Sequence, residues 1–140
     1  MSLFTLALCV HVVTATLGLG QILGTAVLAS STQPGAPVAP VTLIALNRLG
    51  RGTSWALALM LLSGVLIEYA SGGSFHDTWW FRLSFFLLIA LGALQGMIRR
   101  RLRKLAQATD GGLLRGVVRI AWAMCAIVAA VAVLMEVKPW

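Results

Sequence analysis

The sequence predicts an all-α fold, a four-transmembrane-helix bundle with both termini on the outer side of the membrane (N-out/C-out). Three observations predict it. Apolar residues make up 59% of the 140 residues and charged residues only 11%, whereas soluble domains run near half and near a quarter. Four apolar stretches each approach the roughly 20 residues that a hydrocarbon core about 30 Å thick demands. Lys and Arg gather on one side of those stretches, which is the asymmetry that orients a membrane chain.

The first stretch, about residues 3–29, ends in SSTQPGAPVAP, residues 30–40, whose prolines and glycine prevent helix continuation. It reads as a retained span and not as a signal peptide, because it is about twice a signal core in length and no Lys or Arg precedes it. From Val41, the run VTLIALNRLGRG carries apolar residues at helical spacing around Asn47, Arg48 and Arg51. It is expected to form a short interfacial helix continuous with span 2, residues 53–70. SGGSFHDT, residues 71–78, makes a turn before span 3, residues 79–98, which opens on Trp79 and Trp80 at the headgroup level. Span 3 runs into Arg99, Arg100, Arg101, Arg103 and Lys104, and its helix projects beyond the membrane until Asp110 to Gly112 stop it. Span 4 covers about residues 116–137. The whole chain, residues 1–140, is one membrane domain, with no internal repeat.

A net charge of +7 would point to nucleic acid in a soluble protein. Here nine of the eleven Lys and Arg lie in loops 1 and 3 and their flanks, so the charge reads as topology and nucleic acid is not an expected partner. By the positive-inside rule those loops are cytoplasmic, and Arg99, Arg100, Arg101, Arg103 and Lys104 are placed to meet anionic lipid headgroups. Cys9 and Cys125 both fall within spans, without the spacing of a metal knuckle, and read as buried thiols.

Topology sorts the remaining ionisable residues. Glu68, His76, Asp77, Arg82, Glu136 and Lys138 all fall toward the outer face, as an outer charge cluster, and pairing with one another or snorkelling to headgroups is the plain reading of each. His11 is deeper, about 12 Å below the outer end of span 1 at 1.5 Å per residue. On a helix it shares a face with Thr14, Gly18, Gln21 and Thr25, a polar and small stripe that must face protein.

An unsatisfied imidazole in hydrocarbon costs several kcal/mol, so His11 carries two readings. One is a structural hydrogen bond, to Thr14 or to a neighbouring helix. The other is an axial haem ligand, with the glycines of the stripe leaving room for a flat macrocycle and Arg82 pairing its propionates. A bare metal site has less support, since no second histidine or carboxylate stands three or four residues from His11. No nucleophile with its base, phosphate loop or paired catalytic carboxylates is visible, so the sequence assigns no catalytic residue.

HVVTATLGLGQIL in span 1, LLSGVL in span 2, FHDTWWFRLSFFLL at the opening of span 3, RRRLRKL at its exit and the terminal LMEVKPW together resemble a group of small bacterial four-span integral membrane proteins of unknown function. More distantly the chain is similar to the copper-resistance D family and to the four-helix protoporphyrinogen oxidase of haem biosynthesis. The resemblance implies a multi-pass protein of the bacterial inner (cytoplasmic) membrane. In the oxidase family it implies a haem ligand at the position of His11 and a lysine in the third span, where this chain has Arg82. The basic residue that the family carries soon after the first-span glycines is also missing, as Gln21 to Ala29 holds no charge. Both departures weigh against oxidase activity, while haem binding needs only the imidazole and a pocket. Copper transport lacks an array of Met and His ligands.

Two expectations follow. The chain binds haem b through His11 and is redox-linked near the outer face, or it is a non-catalytic accessory or scaffold subunit that meets other membrane subunits of a larger complex. The topology has its own test: a reporter fused after Trp140 is expected to be active only if it matures outside the cytoplasm, and cytoplasmic activity of that fusion contradicts the assigned orientation.

Overall fold

The computed structural model describes residues 2–33, 37–75, 77–107 and 111–137, the last four as backbone only. They form four α-helices, α1 Leu3–Ser30, α2 Pro40–Ala70, α3 Trp79–Leu105 and α4 Gly111–Val137, and no strand occurs among the described residues. The solvent dictates this. Hydrocarbon offers no partner to a backbone N–H or C=O, and a helix is the only single segment that satisfies both within itself. All four helices are long and apolar enough to cross a membrane, which makes this a multi-pass membrane chain.

The helix ends follow from local chemistry. The Ser2 hydroxyl accepts from the Thr5 amide at 3.2 Å and caps α1. Pro40 opens α2, where a missing N–H goes unnoticed. Past Ala70, Gly72 and Gly73 take φ of 71° and 79°, left-handed values that glycine tolerates, and their amides return to the carbonyls of Tyr69 and Glu68.

The segment before span 2 is continuous with it, as its sequence predicts: it forms the first part of α2, which runs unbroken for 31 residues. Its only helix-weakening residues, Gly50 and Gly52, lie against Gln95 and Gln21, and Leu46 is fully buried in the bundle. Packing therefore holds the segment upright. At about 1.5 Å per residue α2 is roughly 46 Å long, so its first turns project past a core about 30 Å thick. Span 3 likewise continues through the arginines, as its sequence predicts, but its helix stops at Leu105, and Gly111 and Gly112, expected to end it, open α4 instead.

The helices form a ring. Each packs on its neighbour in sequence and α4 returns to α1; among the described residues no Cα of α1 lies within 8 Å of α3, nor one of α2 of α4. The core occupies one end of this ring, toward loops 1 and 3, where Ala26, Leu46, Leu102, Val117, Ala121 and Met124 are fully buried and Ile22 and Ile98 nearly so. Outward, Val12, Val13, Leu17, Trp55, Leu62 and Phe86 are all more than half exposed. Such a surface suits lipid and would aggregate in water.

The tightest contact is between α1 and α2, and small residues make it. Gly18 stands so close to α2 that a Cβ there would meet the Ala56 Cβ at 3.3 Å, Gly64 lies under the His11 ring, and Gly52 faces the Gln21 amide. Close backbone approach of this kind drives helix association in lipid. A Cβ added to Gly92 or Gly96 of α3, or to Gly20, would meet no other described residue within 4 Å beyond its own helix backbone. Between α2 and α3 the bond is polar: Gln95, itself buried, donates its amide to the Gly50 carbonyl at 2.7 Å.

Gly18→Leu should force α1 off α2 and lower the unfolding free energy in detergent by about 1–3 kcal/mol, as overpacking does. Gly20→Leu, two residues along the same helix, should leave it unchanged or raised. Equal effects of the two substitutions would show that the seam is not where α1 is held.

Candidate functional site

The end of the ring that carries the chain termini and the α2–α3 turn is built differently from the packed end. Alanine and glycine at positions 15, 18, 56 and 64 contribute little volume there, while Phe4, Trp80, Phe81 and Phe85 stand as walls, and all four helices enclose a pocket of about 660 Å³. That lies inside the range of roughly 300–1,000 Å³ typical of small-molecule and cofactor sites. Its lining is almost wholly apolar. The polar side chains that border it are His11, Thr14, Ser84 and Glu68.

His11 projects from α1 toward α2, and its Nδ1 lies 2.9 Å from Ser63 Oγ. Ser63 in turn donates to the Met60 carbonyl at 3.1 Å. A serine hydroxyl has one proton. The hydroxyl can instead turn that proton to His11 Nδ1, so the bond fits either tautomer; when it goes to Met60, Nδ1 donates to Ser63 and the neutral ring keeps a bare lone pair on Nε2. That second arrangement prepares an imidazole for a metal: one nitrogen anchored to a protein acceptor, the other free to ligate.

Thr14 cannot take that role, because its hydroxyl donates to the carbonyls of Val10 and His11 within its own helix. Of the two structural partners expected for His11, the neighbouring helix supplies the one observed. The stripe itself faces protein as its spacing predicts, with Thr14, Gly18 and Thr25 buried and His11 and Gln21 half-buried.

Glu68 sits at the mouth of the pocket and accepts from the Phe75 amide at 3.2 Å, which ties the turn across the opening. Phe75 packs on Trp80 at a ring separation of 5.8 Å. Arg82 is elsewhere: it pairs with Asp77 at 3.2 Å on the exposed surface and does not border the pocket. The outer charges expected to gather thus divide into Glu68 at the mouth and the Asp77–Arg82 pair outside it. His76, Lys138 and the Glu136 side chain lie outside the described residues.

Ser63, Ser84 and Gln95 are the polar residues to which sequence alone assigns no role. Ser63 has a visible signal, since it falls with Gly52, Ala56 and Gly64 on the small-residue face of α2 that meets α1. Ser84 and Gln95 show only as polar interruptions in an apolar run. Among the described residues no three of His, Cys, Asp or Glu are grouped to hold a metal ion. The donor set is a single imidazole.

Fold and pocket together define a four-helix multi-pass protein with a histidine-bearing pocket in one half of the bundle. Compared with known protein families, curated proteins and solved structures, the chain matches none.

The tautomer is measurable. Nitrogen NMR of labelled protein at a pH where His11 is neutral should show Nδ1 protonated and Nε2 bare, and Ser63→Ala should return the ring to a mixture; a protonated Nε2 in the unsubstituted protein contradicts Ser63 as the acceptor.

Proposed function

We propose that this protein binds haem b in the bacterial inner membrane, with His11 as the axial ligand to the iron and a redox role near the outer face. The observation that carries the reading is the His11–Ser63–Met60 chain of hydrogen bonds, which, with Ser63 accepting from Nδ1, leaves a bare imidazole nitrogen on the wall of an apolar pocket. A single protein nitrogen suits an iron that brings four ligands of its own in a macrocycle, and would hold a bare ion poorly. The size and apolar lining of the pocket suit a porphyrin. When bound, haem supplies one-electron chemistry. His11 holds it, Ser63 orients His11, the aromatic walls exclude water, and Glu68 keeps the turn over the mouth. Arg82 has an acidic partner in Asp77 and would have to leave it to meet the propionates.

The proposed orientation places the projecting basic ends of α2 and α3 in the cytoplasm. Arg99, Arg100, Arg101, Arg103 and Lys104 there face the anionic leaflet, and Arg101 reaches over Gly116 of α4. A second reading, a non-catalytic accessory or scaffold subunit, draws on the outward side of α3. There the open Gly92 and Gly96 border a groove of about 370 Å³ along the α2–α3 seam.

Protein purified from haem-replete cells should show a Soret band that is lost in His11→Ala. Ser63→Ala should keep the band but weaken haem affinity by about 10–100-fold, the cost of removing a partner that orients a ligand. A colourless, folded preparation favours the subunit reading.

A further inference from the structure

Hydroxyls inside the spans of this protein follow one habit. Thr14, Thr16, Thr25, Thr53, Ser54 and Ser63 each donate to a carbonyl three or four residues back in their own helix, which is the usual way to hide a hydroxyl from lipid. Ser84 does not. It is 9% exposed, borders the pocket, and its Oγ is buried without a hydrogen-bond partner. A buried hydroxyl that gives up the backbone bond open to it requires an explanation.

Its position supplies one. Ser84 is on α3, diagonal to the α1 that carries His11, and α1 and α3 do not otherwise approach. Counted from their N-termini at the same end of the bundle, His11 is about 12 Å and Ser84 about 7.5 Å deep, a difference of less than one turn. His11 and Ser84 border the same pocket from opposite sides of the ring of helices. We propose that Ser84 is the second polar contact of the pocket's ligand, donating its hydroxyl to a small molecule bound on the haem face opposite His11. This rests on the haem reading. Ser84 and His11 then grip the ligand from two helices whose described Cα atoms nowhere come within 8 Å of each other.

The test uses the full-length protein, reduced and exposed to carbon monoxide as the small-molecule probe. Ser84→Ala should keep the Soret band while the C–O stretching frequency rises, because a donated hydrogen bond at the bound molecule is lost. Ser84→Thr, which retains the hydroxyl, should keep the frequency of the unsubstituted protein. A structural role predicts a lower Tm for Ser84→Ala with or without haem; a ligand contact predicts that haem-free Ser84→Ala is at least as stable as the haem-free parent. Should Ser84→Ala not fold, Ser84→Cys, a much weaker donor of similar size, takes its place with the same expected shift. An unchanged stretch with the Soret band intact overturns the Ser84 contact and leaves the haem reading standing. Absence of a Soret band in the unsubstituted protein overturns both.

Discussion

The approach of α1 to α2 is the contact on which the rest of the bundle depends. Lipid tails are as apolar as leucine, so no hydrophobic force draws helices together within a membrane, and association has to come from close packing and interhelical hydrogen bonds. Gly18, Gly52 and Gly64 permit the first, and Ser63 with His11 supplies the second. The same seam fixes the histidine. Because Gly64 has no side chain, the ring can approach α2 closely, with Cε1 only 3.6 Å from where a Cβ would stand, and reach Ser63. One bond thus both joins the two helices and satisfies Nδ1.

The bundle is two-faced along its axis. Toward the basic loops it is filled by leucine, isoleucine and methionine; toward the termini very small residues and aromatic rings stand among the aliphatic ones that face inward, and the interior stays open. Neither half alone would serve. A bundle packed throughout would have no site, and one open throughout would lack the close contacts that lipid does not provide. The buried cluster of Leu46, Leu102, Val117 and Met124 is what permits the other end to remain hollow.

Much of this was legible in the sequence for a simple reason: hydrocarbon allows only helices, so counting apolar residues counts elements. The stripe of His11, Thr14, Gly18, Gln21 and Thr25 was legible too, since polar and small side chains in a span have to face inward. The continuity of the segment before span 2 with that span was legible as well, whereas the burial of Leu46 beside polar Asn47 and charged Arg48 depends on the neighbouring helices. Arg82 and Asp77 lie at the same end of the bundle as Glu68, as their sequence positions predict, but the direction in which a side chain leaves a helix end is set by the turn before it. The role of Ser84 could not be read at all. Its distinction is a bond it does not make, and only its surroundings reveal that.

The Gln95 amide on the Gly50 carbonyl has a consequence for alignment. That carbonyl also receives the Ser54 hydroxyl at 3.0 Å, so the junction acts as a pin through two antiparallel rods, preventing either from sliding along the other. From the pin, Ser84 lies eleven residues back along α3 and Ser63 thirteen residues forward along α2, rises of about 16 and 20 Å in the same direction. One buried amide near the basic end thus levels the two walls of a pocket several turns away, and a register shift there would misalign the whole outer half without touching it.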